Sequence, residues 1–220
     1  MILLLYSEYG RFVFLGLLLI AASLNLFTKY ANLSKPFLLP LITAYYVTSV
    51  HEIDWLLVAA LAASWLGDVL LMKETNAWFT AGGISFMLSH FLFIAVYVTR
   101  IVFSLVNWFV IIPAAIVYFS VSAVIIRLVQ PTTPKAMVVP MYIYLLANSS
   151  MNIFALMQFM SNPCLGSVVA YIGAVLFFVS DCTLFTVRYY KNGYFKSFFL
   201  CMLTYIFGEL FIAQGIIMMS

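Results

Sequence analysis

Residues 105–126 read LVNWFVIIPAAIVYFSVSAVII, and no charged side chain interrupts the chain between Arg100 and Arg127. About 20 consecutive apolar residues cross the hydrocarbon core of a bilayer as a helix. A stretch without water to bond its backbone must satisfy every N–H and C=O internally, as a helix or a closed barrel. The segment does not alternate apolar with polar residues as barrel strands do, so it reads as a helix, with Pro113 as an expected kink.

The rest of the chain repeats this pattern. Of 220 residues, 66% are hydrophobic and 8% charged, against roughly 45–50% apolar and about 25% charged in soluble domains. A chain of this length buries only about 70% of its surface on folding, so a soluble fold has nowhere to hide so much apolar area. Disorder, a disulfide scaffold and nucleic-acid binding are excluded at the same step. The predicted fold class is an all-α integral membrane protein, a single transmembrane domain over 1–220 built as a bundle of eight helices with short loops. The spans are read at 12–28, 36–50, 55–72, 79–99, 105–126, 137–159, 166–187 and 197–217. The second is the weakest, being short and carrying Pro36 and Pro40. Residues 1–28 resemble a signal peptide, but the small-residue stretch Ala21-Ala22-Ser23 lies inside the apolar run, so a retained span is expected.

Loop charge sets orientation. Lys29, Lys35, Lys73, Arg127, Lys135, Arg188, Lys191 and Lys196 fall on one side and only Arg11 and Arg100 on the other. Both termini are therefore expected outside, in a bacterial inner membrane. That count holds only if the second span crosses. Three cysteines, Cys164, Cys182 and Cys201, form no CxxC pair and imply neither a disulfide framework nor a zinc site.

Polar groups within spans are costly and mark function or a structural pair. Asp68, Asp181 and Glu209 are such acids, joined by His90, Asn148 and Asn152. At about 1.5 Å per helical residue, Asp68 and Asp181 lie some 7–10 Å beneath the basic face, counted back from Lys73 and Arg188. His90, Asn148 and Glu209 count to roughly 15–20 Å, a deeper tier. Asn148 and Asn152, four apart, share a helix face. A pocket opening at the cytoplasmic face and reaching toward the midplane is expected. His51 and His90 are too few for a three-histidine zinc site, and no GxSxG elbow or phosphate-cradling loop is present. Acid–base work by paired carboxylates remains, or the movement of ions and protons.

The same residues carry a resemblance. Trp65-Leu66-Gly67-Asp68-Val69-Leu70-Leu71 resembles the GDxLL motif of the YhhN-like lysoplasmalogenase family. Gly82 to His90, GGISFMLSH, is similar to that family's glycine–phenylalanine–histidine segment. Ser180-Asp181 resembles its second acidic motif, and Lys35-Pro36 the Lys-Pro after its first span. Phe93 departs from the pattern, standing where a tyrosine is expected. The resemblance implies hydrolysis of the vinyl ether of lysoplasmalogens to a fatty aldehyde and glycerophosphoethanolamine or glycerophosphocholine. The partners implied are a lysophospholipid substrate and the bilayer, with no cofactor, no metal and no nucleic acid. One aspartate would protonate the alkenyl carbon while the other, ionised, steadies the resulting oxocarbenium, as paired carboxylates divide their roles in glycosidases. His90 would relay protons and Lys35 hold the phosphate, with Asn148, Asn152 and Glu209 on the substrate. The depth of the aspartates independently suits a bond just under the headgroups. Two other readings stay open. One is a small proton-coupled transporter, toward which Gly67-Asp68-x-x-Leu71 and Ser180-Asp181-x-x-Leu184 hint as a parallel repeat. The other is a hydrolase of another ether or ester lipid.

Overall fold

The computed structural model describes residues 2–73, 75–190 and 198–220, with side chains from residue 9 onward. Among them are eight α-helices and no strand: α1 (Ile2–Phe27), α2 (Ala31–Ser49), α3 (Trp55–Leu71), α4 (Asn76–Val98), α5 (Trp108–Val129), α6 (Lys135–Ser161), α7 (Leu165–Tyr189) and α8 (Phe198–Ile217). Short 3-10 turns at Phe103–Leu105 and Gln130–Thr132 lead into α5 and α6. Lys191, Lys196 and Ser197, used in the charge and span readings, lie outside the described residues.

Among the described residues, six of the eight helices are long and apolar enough to cross a bilayer: α1 from Tyr9, α4, α5 with the turn after it, α6, α7 and α8. Helix α3 has 17 residues, under the usual requirement of about 20. Helix α2 has 19, but Asn32, Lys35 and two prolines lower its apolarity. Both nevertheless run the length of the bundle side by side. At one end Lys35 meets Asp68; at the other the Asp54 amide donates to the Tyr46 hydroxyl at 2.8 Å. Two boundaries differ from the sequence reading for one reason. α1 continues back through Arg11 and α2 begins before Lys35, because a charged residue does not stop a helix and its long stem lets the charge leave the apolar zone.

Sequential helices pair as antiparallel hairpins, α1 with α2, α3 with α4 and α7 with α8. Small residues make the tightest of these possible, since lipid supplies no hydrophobic drive between helices and close backbone approach must replace it. A Cβ on Gly173 would stand 2.6 Å from the Ile212 nitrogen, and one on Gly215 2.5 Å from the Ala170 nitrogen. Gly208 and Gly166 close the same seam from the other side. On the face opposite the candidate site, Arg100 at the end of α4 pairs with Asp54 at the start of α3 at 2.7 Å. Large apolar side chains such as Trp55, Phe27 and Phe109 point outward, as lipid-facing positions require.

Candidate acid–base site

Asp68 is placed by the residues around it in WLGD. A Cβ on Gly67 would fall 2.6 Å from the Phe86 ring, so the missing side chain lets that ring lie against the α3 backbone. The next residue, Asp68, turns toward α2 and α8 and is 2% exposed. Its Oδ2 accepts from the Tyr205 hydroxyl at 2.7 Å, and its Oδ1 lies 3.2 Å from Lys35 Nζ. Trp65 fixes the approach of α2: its Nε1 donates to the Pro36 carbonyl at 2.9 Å. Within a helix that carbonyl would bond the amide four residues on, but residue 40 is a proline and has no N–H to give. The indole fills the vacancy, one turn from Lys35.

Asp181 is held from two other helices. Its Oδ2 accepts from Asn148 Nδ2 at 2.7 Å and lies 3.2 Å from His90 Nε2. Asn152 supports Asn148 by donating to its side-chain and main-chain oxygens, both at 3.1 Å. The His90 ring is clamped between Tyr144, edge-on with centroids 5.2 Å apart, and Phe177 at 5.0 Å. His90 is fully buried, and its Nδ1 has no partner among the described residues.

The two carboxylates do not share a proton or a hydrogen bond. Phe86, Phe177 and Tyr205 stand between them, packed edge to face at 5.5–6.2 Å. The two depth tiers expected from counting are not found, since Asp181 touches His90 and Asn148 directly. Counting from the nearest basic residue assumes that all the bases lie at one level and all helices stand upright. Glu209 is fully buried, with Ser64 beside it and Asp68 nearby.

Lys35 lines a cavity of about 780 Å³ at the face where α3 and α7 end, together with Asn32, Asn76 and Arg188. The Arg188 guanidinium lies 3.9 Å over the Phe79 ring, and its Nη2 is 3.5 Å from Asn76 Oδ1. This mouth is basic and polar, and Asp68 sits behind its lysine. Asn148, Asn152 and Glu209, expected to touch substrate, do not line this mouth, and neither do Asp68, Asp181 and His90. The two asparagines stand behind Asp181 and orient it.

Three residues of the site escape a sequence reading. Tyr144 precedes Asn148 by one turn, and Tyr205 precedes Glu209 by one turn. Positions four apart share a helix face, so this spacing was the available signal, hidden among many tyrosines. Arg188 is visible only as a loop charge until the fold brings it to Lys35's cavity.

The fold and the site together define a multi-pass membrane protein with two buried, separately partnered aspartates beneath a basic mouth. The chain belongs to the YhhN family, whose sequence model matches residues 30–216. No curated protein and no solved structure matches it.

Proposed function

We propose that the protein is a lysoplasmalogenase, hydrolysing the vinyl ether of a 1-alkenyl lysophospholipid to a fatty aldehyde and a glycerophosphodiester. Membership of the YhhN family supports a lipid hydrolase. The observation that carries the reading is the unlike partnering of two buried carboxylates: Asp68 by the ammonium of Lys35, Asp181 by His90 and Asn148.

Those partners divide the roles. Asp68, paired with a cation, serves as the charged carboxylate. Asp181, whose Oδ2 takes both neighbours, carries a proton and gives it to the second carbon of the alkenyl chain. The electron pair of the double bond forms the new C–H bond, and the cation left at the first carbon is shared with the ether oxygen. Asp68 and the aromatic faces between the acids steady this oxocarbenium, as anions and π-clouds do for a cation. Water adds to the first carbon and returns a proton to Asp181 by way of His90. The hemiacetal then passes its hydroxyl proton to the glycerol oxygen as the C–O bond breaks, leaving the aldehyde. Lys35 and Arg188 at the mouth supply the charge that suits the substrate's phosphate.

The test is aldehyde release by the purified protein from a 1-alkenyl lysophospholipid, beside its 1-alkyl and 1-acyl analogues. Release from the alkenyl lipid alone is expected. Cleavage of the acyl lipid would make the protein a hydrolase of another class, and silence on all three from folded protein would favour transport.

A further inference from the structure

Beside the acid–base site, between α4, α6 and α7, lies a second cavity of about 190 Å³ whose wall includes Phe79, Gly83, Met87, Met141, Tyr144 and Phe185. It is larger than the roughly 150 Å³ apolar cavities that stay dry and take up benzene-sized guests. The one hydroxyl on the α4 side, Thr80, is spent on the Asn76 carbonyl at 2.9 Å, so little on that wall calls for water. Three methionines, Met87, Met137 and Met141, line it, and their flexible thioethers adapt to irregular apolar guests. Ile84 and Ile143 at its rim are 56% and 48% exposed, so the cavity opens sideways to the bilayer.

Its two other boundaries say what enters. Tyr144 in its wall packs on His90, the partner of Asp181. Tyr189 is shared with the basic mouth that holds Lys35 and Arg188. An apolar slot thus lies between lipid on one side and, behind Tyr189 and Tyr144, the cationic mouth and the histidine of the buried acid on the other. That is the shape of an amphiphile with one hydrocarbon chain and one anionic head. On the reading of the protein as a hydrolase of single-chain lipids, we infer that this cavity seats the substrate's hydrocarbon chain, entered from the bilayer between α4 and α6, and that Gly83 keeps it open. A Cβ on Gly83 would meet nothing within 4 Å. A side chain added there grows into the empty slot without disturbing the backbone, and the helix gains by losing a glycine.

The experiment uses the full chain in lipid nanodiscs, as the wild type, Gly83→Leu and Gly16→Leu. Gly16 is equally uncrowded but lies on α1, away from the cavity. Two series are run, from octyl to octadecyl: hydrolysis of 1-alkenyl lysophospholipids, and binding of the uncleavable 1-alkyl analogues. A chain shut out of the cavity stays in lipid rather than in water, so what it loses is close-fitted contact with the cavity wall. The long-to-short preference of Gly83→Leu should therefore fall about threefold or more in both series, the loss of several wall contacts, while Gly16→Leu keeps that of the wild type. An unchanged preference in Gly83→Leu, or the same loss in Gly16→Leu, overturns the inference. Chain-dependent binding that Gly83→Leu abolishes, in a protein that cleaves no alkenyl lipid, upholds the cavity and overturns the reaction.

Discussion

Asp68 and Asp181 carry the proposed chemistry, and they differ in what surrounds them rather than in themselves. Replacing either by asparagine keeps volume and shape while removing the proton or the charge. Asp68→Asn and Asp181→Asn are each expected to remain folded and to lose about 10²–10⁴-fold in aldehyde release, the range for lost acid–base catalysis. Near-normal turnover in either variant removes that residue from the mechanism. Tyr205→Phe deletes only the 2.7 Å bond to Asp68. A hydrogen bond to a charged group contributes about 1.5–3 kcal/mol, so a loss of about 10- to 150-fold is expected, with kcat falling more than KM changes. The sequence singled out both aspartates because a carboxylate within an apolar run is conspicuous. It could not single out Tyr205 or Tyr144, because tyrosine is equally at home in a bilayer interface and the pairing depends on which face each helix turns inward.

At the scale of the elements, the α7–α8 seam decides where Asp181, Tyr205 and Glu209 stand. Its glycines are spaced so that the two backbones touch, and there is no room for even a methyl group. Gly173→Ala and Gly215→Ala, with contacts of 2.6 and 2.5 Å to backbone nitrogens, should each cost about 1–3 kcal/mol through overpacking. Thermal melting of the purified variants reads this directly. Gly16→Ala, in open space, should be neutral or slightly stabilising; equal melting temperatures for all three would show that the seam does not set the packing. Helix α2 shows the opposite balance. Its prolines read as a mark against a span, yet within the fold Trp65 of α3 repairs the hydrogen bond that Pro40 forfeits. Element boundaries were legible to within a few residues at the turn QPTTPK and at the charges Lys29, Lys73, Arg100 and Arg188, and misplaced where a charge lies inside a helix, as Arg11 and Lys35 do.

For the whole molecule, the outstanding question is which face the mouth opens to. Cys164 lies just before α7 and Arg188 near its far end, so that thiol and the mouth are on opposite faces. With both termini outside, as the loop charges lead one to expect, the mouth would face the cytoplasm. On intact cells an impermeant maleimide should label Cys164 and leave Lys73→Cys untouched until the membrane is opened; the reverse pattern would invert the topology. Cys182 and Cys201 are buried and should stay silent in both cases. Hydrogen bonds with Ser167 hold the Cys164 thiol below its ordinary pKa. More thiolate is then present at a given pH, and labelling should rise with pH along a curve displaced to lower values than that of a free cysteine.

The sequence alone determined that this chain forms helices suited to a membrane and that it carries a few acids within them, because apolar length and a charge inside an apolar run are local properties of the chain. It also carried its family in short motifs whose glycines and aspartates have local reasons to be there. The tertiary structure decided the partnerships: Lys35 and Tyr205 on one aspartate, His90 and Asn148 on the other, an aromatic wall between them and an apolar slot alongside. Those depend on the rotation and tilt of helices about one another, fixed by contacts between residues as far apart in the chain as Asp68 and Tyr205, and no spacing along a single strand of sequence records them.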